Sequence, residues 1–141
     1  MSVTAYIIIG VVGVIVLLMI RRYRMFTAGI GQEDSEKLVI LTDQNYKYQL
    51  KNGVVLIDFW AEWCQPCKIQ GPIISQLAEE NTRDNVKIAK LDVEKNPRAS
   101  QEFGIQNIPT ILIFKNGKIA DKVVGLKSKK ALEKVLEKVV S

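Results

Sequence analysis

The sequence predicts an α/β domain, a mixed and mostly parallel five-stranded sheet with helices on both faces, preceded by one transmembrane helix. Three observations carry this. An uncharged apolar run, VTAYIIIGVVGVIVLLMI, fills residues 3–20. Beyond residue 37, short β-branched runs alternate with segments of helical period, the pattern of strands joined through crossover helices. An Asn-Gly pair at 116–117 separates the last two of those runs, as in a hairpin, and so adds an antiparallel edge. At 141 residues the chain holds one domain plus an appendage, and two domains with full cores do not fit.

The apolar run comes first. About 18 residues at a helical rise span about 27 Å, close to the hydrocarbon thickness of a bilayer. Apolar residues cover every face, without the stripe of an amphipathic core helix. RRYR at 21–24 follows the run and nothing basic precedes it beyond the α-amino group, the reverse of a cleavable leader. The positive-inside rule then holds Arg21, Arg22 and Arg24 in the cytoplasm, and residues 25–141 with them. Residues 1–24 thus read as an anchor with a basic flank, 25–36 as a flexible tether of roughly 20 Å reach, and 37–141 as the folded domain. The net charge is +5, but those three arginines precede every acidic residue; the remainder, 17 basic against 15 acidic residues, carries only +2. No basic stripe with interleaved aromatics appears, so a nucleic-acid partner is not expected.

Within the domain, LVIL at 38–41 suits a short strand, and Thr42 or Asp43 can cap a helix running to about Asn52, where Gly53 stops it. VVLIDFW at 54–60 is long and β-branched enough for a buried strand. A helix begins near the cysteines and carries Ile69, Ile73 and Leu77 on one face, with Pro72 expected to kink it. VKIAKLDV at 86–93 is a strand, Asn96 and Pro97 open a short helix, and TILIFK at 110–115 and KIADKVVG at 118–125 flank the Asn-Gly turn. Ser128 caps a last helix in which Leu132, Val135, Leu136 and Val139 share a face. The element order is βαβαβαββα.

The only two cysteines lie together in WCQPCK, residues 63–68. A structural disulfide this short would close too small a loop to add much stability. A zinc site needs about four nitrogen or sulfur ligands, and the chain has two cysteines and no histidine. A copper-carrying two-cysteine loop stays conceivable on ligand type alone. A redox couple gains from position. The strand ending at Phe59 or Trp60 delivers Cys64 to a helix start, where unpaired N–H groups and the macrodipole favour the thiolate and draw its pKa from about 8.5 toward 7. Pro66 suits a first turn, and Cys67, one position further, is expected to be the more buried thiol. Cys64 is therefore the expected attacker and Cys67 the resolving thiol.

VVLIDFWAEWCQPCK, followed in order by KIAKLDVEKNP, FGIQNIPTILIFKNGK and VVG, resembles the thioredoxin family over essentially all of residues 37–141. The resemblance implies the thioredoxin fold and a buried aspartate six residues before the dithiol, at Asp58. It also implies a lysine on the next strand, Lys90, and a cis proline facing the cysteines, Pro109. On physical grounds alone, an acid inside an apolar strand either is buried with a raised pKa, able to take the proton of Cys67, or turns to solvent. Lys90 either pairs with Asp58 or is a solvated strand lysine. Pro109 suits a strand entry; by the resemblance, the backbone of Ile108 beside it receives an extended substrate. By the resemblance Trp63, Gly125 and Ile108 form the apolar rim that receives substrate, whereas each taken singly reads as ordinary packing; Gln65 and Pro66 between the cysteines are expected as further substrate contacts. Trp60 is expected at or near the core, shielding Asp58. The family usually has Gly-Pro between its cysteines where this chain has Gln65-Pro66, which bears on the reduction potential.

The expected activity is reduction of protein disulfides by a dithiol tethered to a membrane through residues 3–20, without metal or organic cofactor. Its partners would be disulfide-containing client proteins and, by resemblance, either a thioredoxin reductase or, in the opposite topology, a membrane electron donor. That opposite topology gives an exported reductant serving cytochrome c maturation. A different class of reading makes the domain a binding module in which the cysteines are incidental.

Overall fold

The computed structural model describes residues 2–27 and 34–141, and the chain divides into two units, 1–32 and 33–141. In the first, helix α1 runs over Val3–Thr27. Its large apolar side chains from Val3 to Tyr23 are exposed; the most apolar 18-residue window within Val3–Arg24 has a mean hydropathy of 2.9, and the helix is long and apolar enough to cross a membrane. The expected anchor ended at residue 24. The helix continues through Met25, Phe26 and Thr27 because no glycine or proline stands among residues 21–27 to stop it. The centre of the expected tether, residues 28–33, lies outside the described residues.

The second unit follows the expected element order: β1 (Val39–Leu41), α2 (Tyr46–Gln49), β2 (Val54–Trp60), α3 (Gln65–Glu80), β3 (Val86–Asp92), α4 (Pro97–Glu102), β4 (Thr110–Lys115), β5 (Lys118–Val124) and α5 (Lys129–Val140). The five strands form one sheet in the order β1-β3-β2-β4-β5. β1, β3 and β2 are parallel, and β4 alone opposes the rest, pairing antiparallel with β2 and with β5. Asn116 and Gly117 both take positive φ, 49° and 81°, in the tight turn between β4 and β5.

β2 is central, and its first six residues are all buried. Alternation along it divides the core. Val55, Ile57 and Phe59 join Tyr46 and Leu50 beside α2, Ala99 of α4, and Leu112 and Phe114 of β4. Val54 and Leu56 join Ile74 and Leu77 of α3 and Leu132, Leu136 and Val139 of α5. Asp58 shares the second face by the same alternation, as does Lys90 opposite it in register. The one charged residue of β2 therefore faces the side of the sheet covered by α3, the helix that carries both cysteines.

Two expected helix starts are exchanged. α2 is one turn rather than a helix from Thr42 to Asn52, because Asp43 does not cap it. The Asp43 carboxylate instead accepts from the backbone N–H groups of Arg98 and Ala99 at 3.1 and 2.8 Å, capping α4. Asn96 sits at the N-cap position of α4 without a capping bond of its own; its Oδ1 accepts from the Asp43 N–H at 2.9 Å. Ser128 behaves as expected, its hydroxyl accepting from Ala131 N–H at 3.3 Å.

Candidate active site

Cys64 is the N-cap of α3 and Cys67 lies in the helix's first turn, so the two Cα atoms stand 5.2 Å apart and the side chains join in a disulfide. Pro66, in the same turn, has no N–H to leave unpaired. The Cys64 sulfur accepts from Cys67 N–H at 3.3 Å, one of the helix's otherwise unpartnered amides. A thiolate at Cys64 would meet that N–H and the positive end of the helix, which is how the local fold favours charge there.

The expected difference in burial between the thiols is not found: Cys64 is 4 % exposed and Cys67 3 %. Both pack with Ala61 against Trp60, Val93 and Ile108. What distinguishes them is place: the sulfur of Cys64 faces an amide at the helix mouth, and that amide belongs to Cys67. Around the disulfide, Trp63 is 64 % exposed, and Gln65 and Pro66 are also exposed. Ile108 is half-buried against the cysteines, and the Ile108–Pro109 bond is cis. The carbonyl of Pro109 accepts from Gly125 N–H at 2.8 Å, which fixes Gly125 beside the proline. Gly125 has φ of 82°, a conformation open to glycine and strained for other residues. The structure thus gathers Trp63, Gln65, Pro66, Ile108, Pro109 and Gly125 at the end of the sheet where α3 begins.

Asp58 is fully buried, and neither carboxylate oxygen has a hydrogen-bond partner. Loss of water pushes its pKa up to about 7; the positive charge of Lys90 pulls it back and the negative charge of Asp34 adds to the rise. Trp60 is half-buried, at the edge of the core. Lys90 is not the solvated strand lysine of one expectation, and it tempers Asp58 through its charge without the direct pairing of the other. It is buried, and its ammonium binds both carboxylate oxygens of Asp34, at 3.0 and 3.2 Å, and lies 4.5 Å from the centre of the Trp60 ring. Asp58 competes for that cation without a direct bond to it.

Two residues escaped the sequence reading. Asp34 lay inside the supposed tether, where nothing in its surroundings marks a partner 56 positions away. Ser35 beside it is also held, its N–H donating to Ser75 Oγ and its hydroxyl to Glu79, both at 2.6 Å, so residues 34 and 35 are docked rather than slack. Gln70 is the other. It is fully buried and exchanges two hydrogen bonds with the backbone of Lys127, accepting at 2.8 Å and donating at 3.2 Å, and so clamps the segment after Gly125 to α3. Its signal was present: a polar residue at the i+3 position from Cys67 on the helix's buried stripe, which continues to Ile74 and Leu77.

Comparison with known proteins agrees with this geometry. The family model described as Thioredoxin matches residues 37–138. The chain is 41 % identical over 101 residues to a thioredoxin of Bacillus subtilis strain 168, covering 72 % of this chain and 96 % of that protein. It is 42 % identical over 99 residues to a thioredoxin of Chlamydia muridarum, covering 70 % and 95 %. Among solved structures, a point mutant of a thioredoxin from Halobacterium salinarum NRC-1 superposes with a TM-score of 0.68 at 29 % identity, covering 79 % of this chain and 97 % of that one.

Proposed function

Because the chain belongs to the thioredoxin family and is a protein-disulfide reductase acting through Cys64 and Cys67, we propose that it works as a tethered reductant whose buried Asp58 manages the proton of the second thiol. In the reduced protein the Cys64 thiolate, held at the mouth of α3, attacks a client disulfide; one client sulfur leaves as a thiolate and the other stays bound in a mixed disulfide. The Cys67 thiol gives its proton to Asp58, and its sulfur attacks Cys64. The Cys64–Cys67 disulfide forms, and the client leaves with both sulfurs reduced. Two electrons pass to the client, and a partner reductant must return them. At neutral pH a carboxyl near 7 is partly ionised and partly protonated, so it can take a proton on resolution and give one back when the disulfide is reopened. The observation that carries this reading is the carboxylate of Asp58, sealed without a partner on the sheet face that α3 covers.

Trp63, Gln65, Pro66, Ile108, Pro109 and Gly125 are the proposed client surface, with the backbone beside Pro109 taking an extended client segment as an added strand. Lys90 moderates Asp58. Residues 1–24 form the proposed membrane anchor and 25–36 its connection to the domain at 37–141. The apolar length of α1 supports the span, and Arg21, Arg22 and Arg24 support a cytoplasmic domain supplied by a thioredoxin reductase. Tethering would hold the dithiol at high effective concentration near membrane-bound clients.

Trapping tests the reading. Cys67→Ser in the full chain is expected to stall the mixed disulfide, leaving clients attached to Cys64 and releasable by dithiothreitol, while Cys64→Ser captures none. Absence of adducts from Cys67→Ser with a dithiol-competent wild type would refute the assignment of the two thiols. Reporter fusions at the C-terminus, active on one side of the membrane only, decide the topology; an extracytoplasmic result would instead favour the exported reductant with a membrane electron donor.

A further inference from the structure

The Lys90 ammonium stands between two carboxylates and bonds to only one of them. Asp34 takes it with both oxygens from the stretch ahead of β1, while Asp58, its register partner across β2 and β3, is left without a hydrogen bond. Helix α3 passes the ammonium at Gly71, where a β-carbon would sit 3.8 Å from Lys90 Nζ, in ordinary contact. Trp60 closes another side, its ring centre 4.5 Å from the nitrogen. A small cavity of about 220 Å³, lined in part by Asp34, Trp60, Lys90 and Asp92, opens beside the pair. The lysine is thus drawn toward the cavity and held there at its tip.

We propose that Asp34 is a positioning residue for the dithiol reaction: by holding the Lys90 ammonium it sets how much positive charge reaches Asp58. This rests on the reading of Asp58 as the proton acceptor for Cys67. The charged groups that act on Asp58 are Lys90 from β3 and Asp34 from the segment before β1. The residue opposite it on β4 is Ile111, and α3 presents Gly71 to the lysine and a closed disulfide at its start. Both consequences of removing the Asp34 charge have the same sign. Its own repulsion of the Asp58 carboxylate is lost, and the lysine charge it neutralised becomes available, so ionised Asp58 is favoured twice. A reductase with an uncharged residue at 34 would carry a more acidic Asp58 and, below neutral pH, a more weakly protonated one.

The C=O stretch of the protonated Asp58 carboxyl, followed by infrared difference spectroscopy of the full oxidised chain in detergent micelles and assigned by its loss in Asp58→Asn, reads this directly. In the wild type the band is expected to titrate near neutral pH. In Asp34→Asn, a change at a side chain 42 % exposed, its midpoint is expected to fall by about one pH unit. Glu36→Gln, which removes an exposed acid two positions on, is expected to leave it in place. An unchanged midpoint in Asp34→Asn, or an equal fall in Glu36→Gln, would overturn the role of Asp34 while leaving that of Asp58 intact. A wild-type band already absent at pH 6 would overturn both, because Asp58 would then be an ordinary carboxylate.

Discussion

Replacing Asp58 by alanine should make the protein more stable, and only above the acid range. The carboxyl titrates near 3.8 in an unfolded chain and near 7 when buried in the fold, a gap of about three pH units. At about 1.4 kcal/mol per unit, the folded state carries a penalty of about 4 kcal/mol once Asp58 is ionised in both states. Below pH 4 both states hold the proton and no penalty exists. Between about pH 4 and 7 the unfolded chain has released its proton while the fold retains it, so stability falls by about 1.4 kcal/mol per unit as pH rises, and levels off above 7. Because the group is fully buried and its oxygens have no partners, solvent does not screen this cost. Asp58→Ala also removes side-chain volume, but that offset is independent of pH, and the surface ion pairs occur in both proteins and cancel. The measurement is guanidinium unfolding of the full chain in micelles, followed by tryptophan fluorescence from pH 4 to 9. The difference between variant and wild type is expected to grow by about 4 kcal/mol across that range, with disulfide reduction slowed in the variant. Parallel stability profiles would refute the burial argument and with it the proton-acceptor role.

Two further outcomes test the scaffold around the site. Gly53 has φ of 78°, and a β-carbon there would meet the carbonyl oxygen of Asn85 at 2.4 Å, so Gly53→Ala should lower stability by about 2 kcal/mol in the same unfolding measurement. Ser128→Ala removes the cap on Ala131 N–H and should cost about 1 kcal/mol, whereas Ser128→Asp should preserve the stability of α5.

The parts of this molecule that were legible in the sequence are those whose cause is local. β2 announces itself because seven consecutive residues suit a buried strand, the Asn-Gly turn because both positions need positive φ, and α5 because its apolar stripe and its cap are neighbours in the chain. α2 failed for the opposite reason: Asp43 looks like a cap for the next residues, but its hydrogen bonds go to Arg98 and Ala99, 55 and 56 positions away. Lys90 failed in the same way. Its spacing left pairing with Asp58 and exposure to solvent equally open, and no periodicity could reveal that Asp34 would bind it. The near-equal burial of Cys64 and Cys67 depends on Trp60, Val93 and Ile108, which come from three separate parts of the chain. Local pattern located the reactive pair, and tertiary contacts decided how it is enclosed.

The exchange between Asp43 and Asn96 also bears on how the domain answers mechanical load. Helix α4 has six residues, too few to persist by its own hydrogen bonding, and its first amides depend on a carboxylate that follows the three-residue strand β1. Tension applied to the chain ahead of residue 34 would first load the bonds of Asp34 and Ser35 and, once they part, that short edge strand. Peeling it away would carry Asp43 with it and release the start of α4, so the first rupture should involve two distant stretches of sequence opening together.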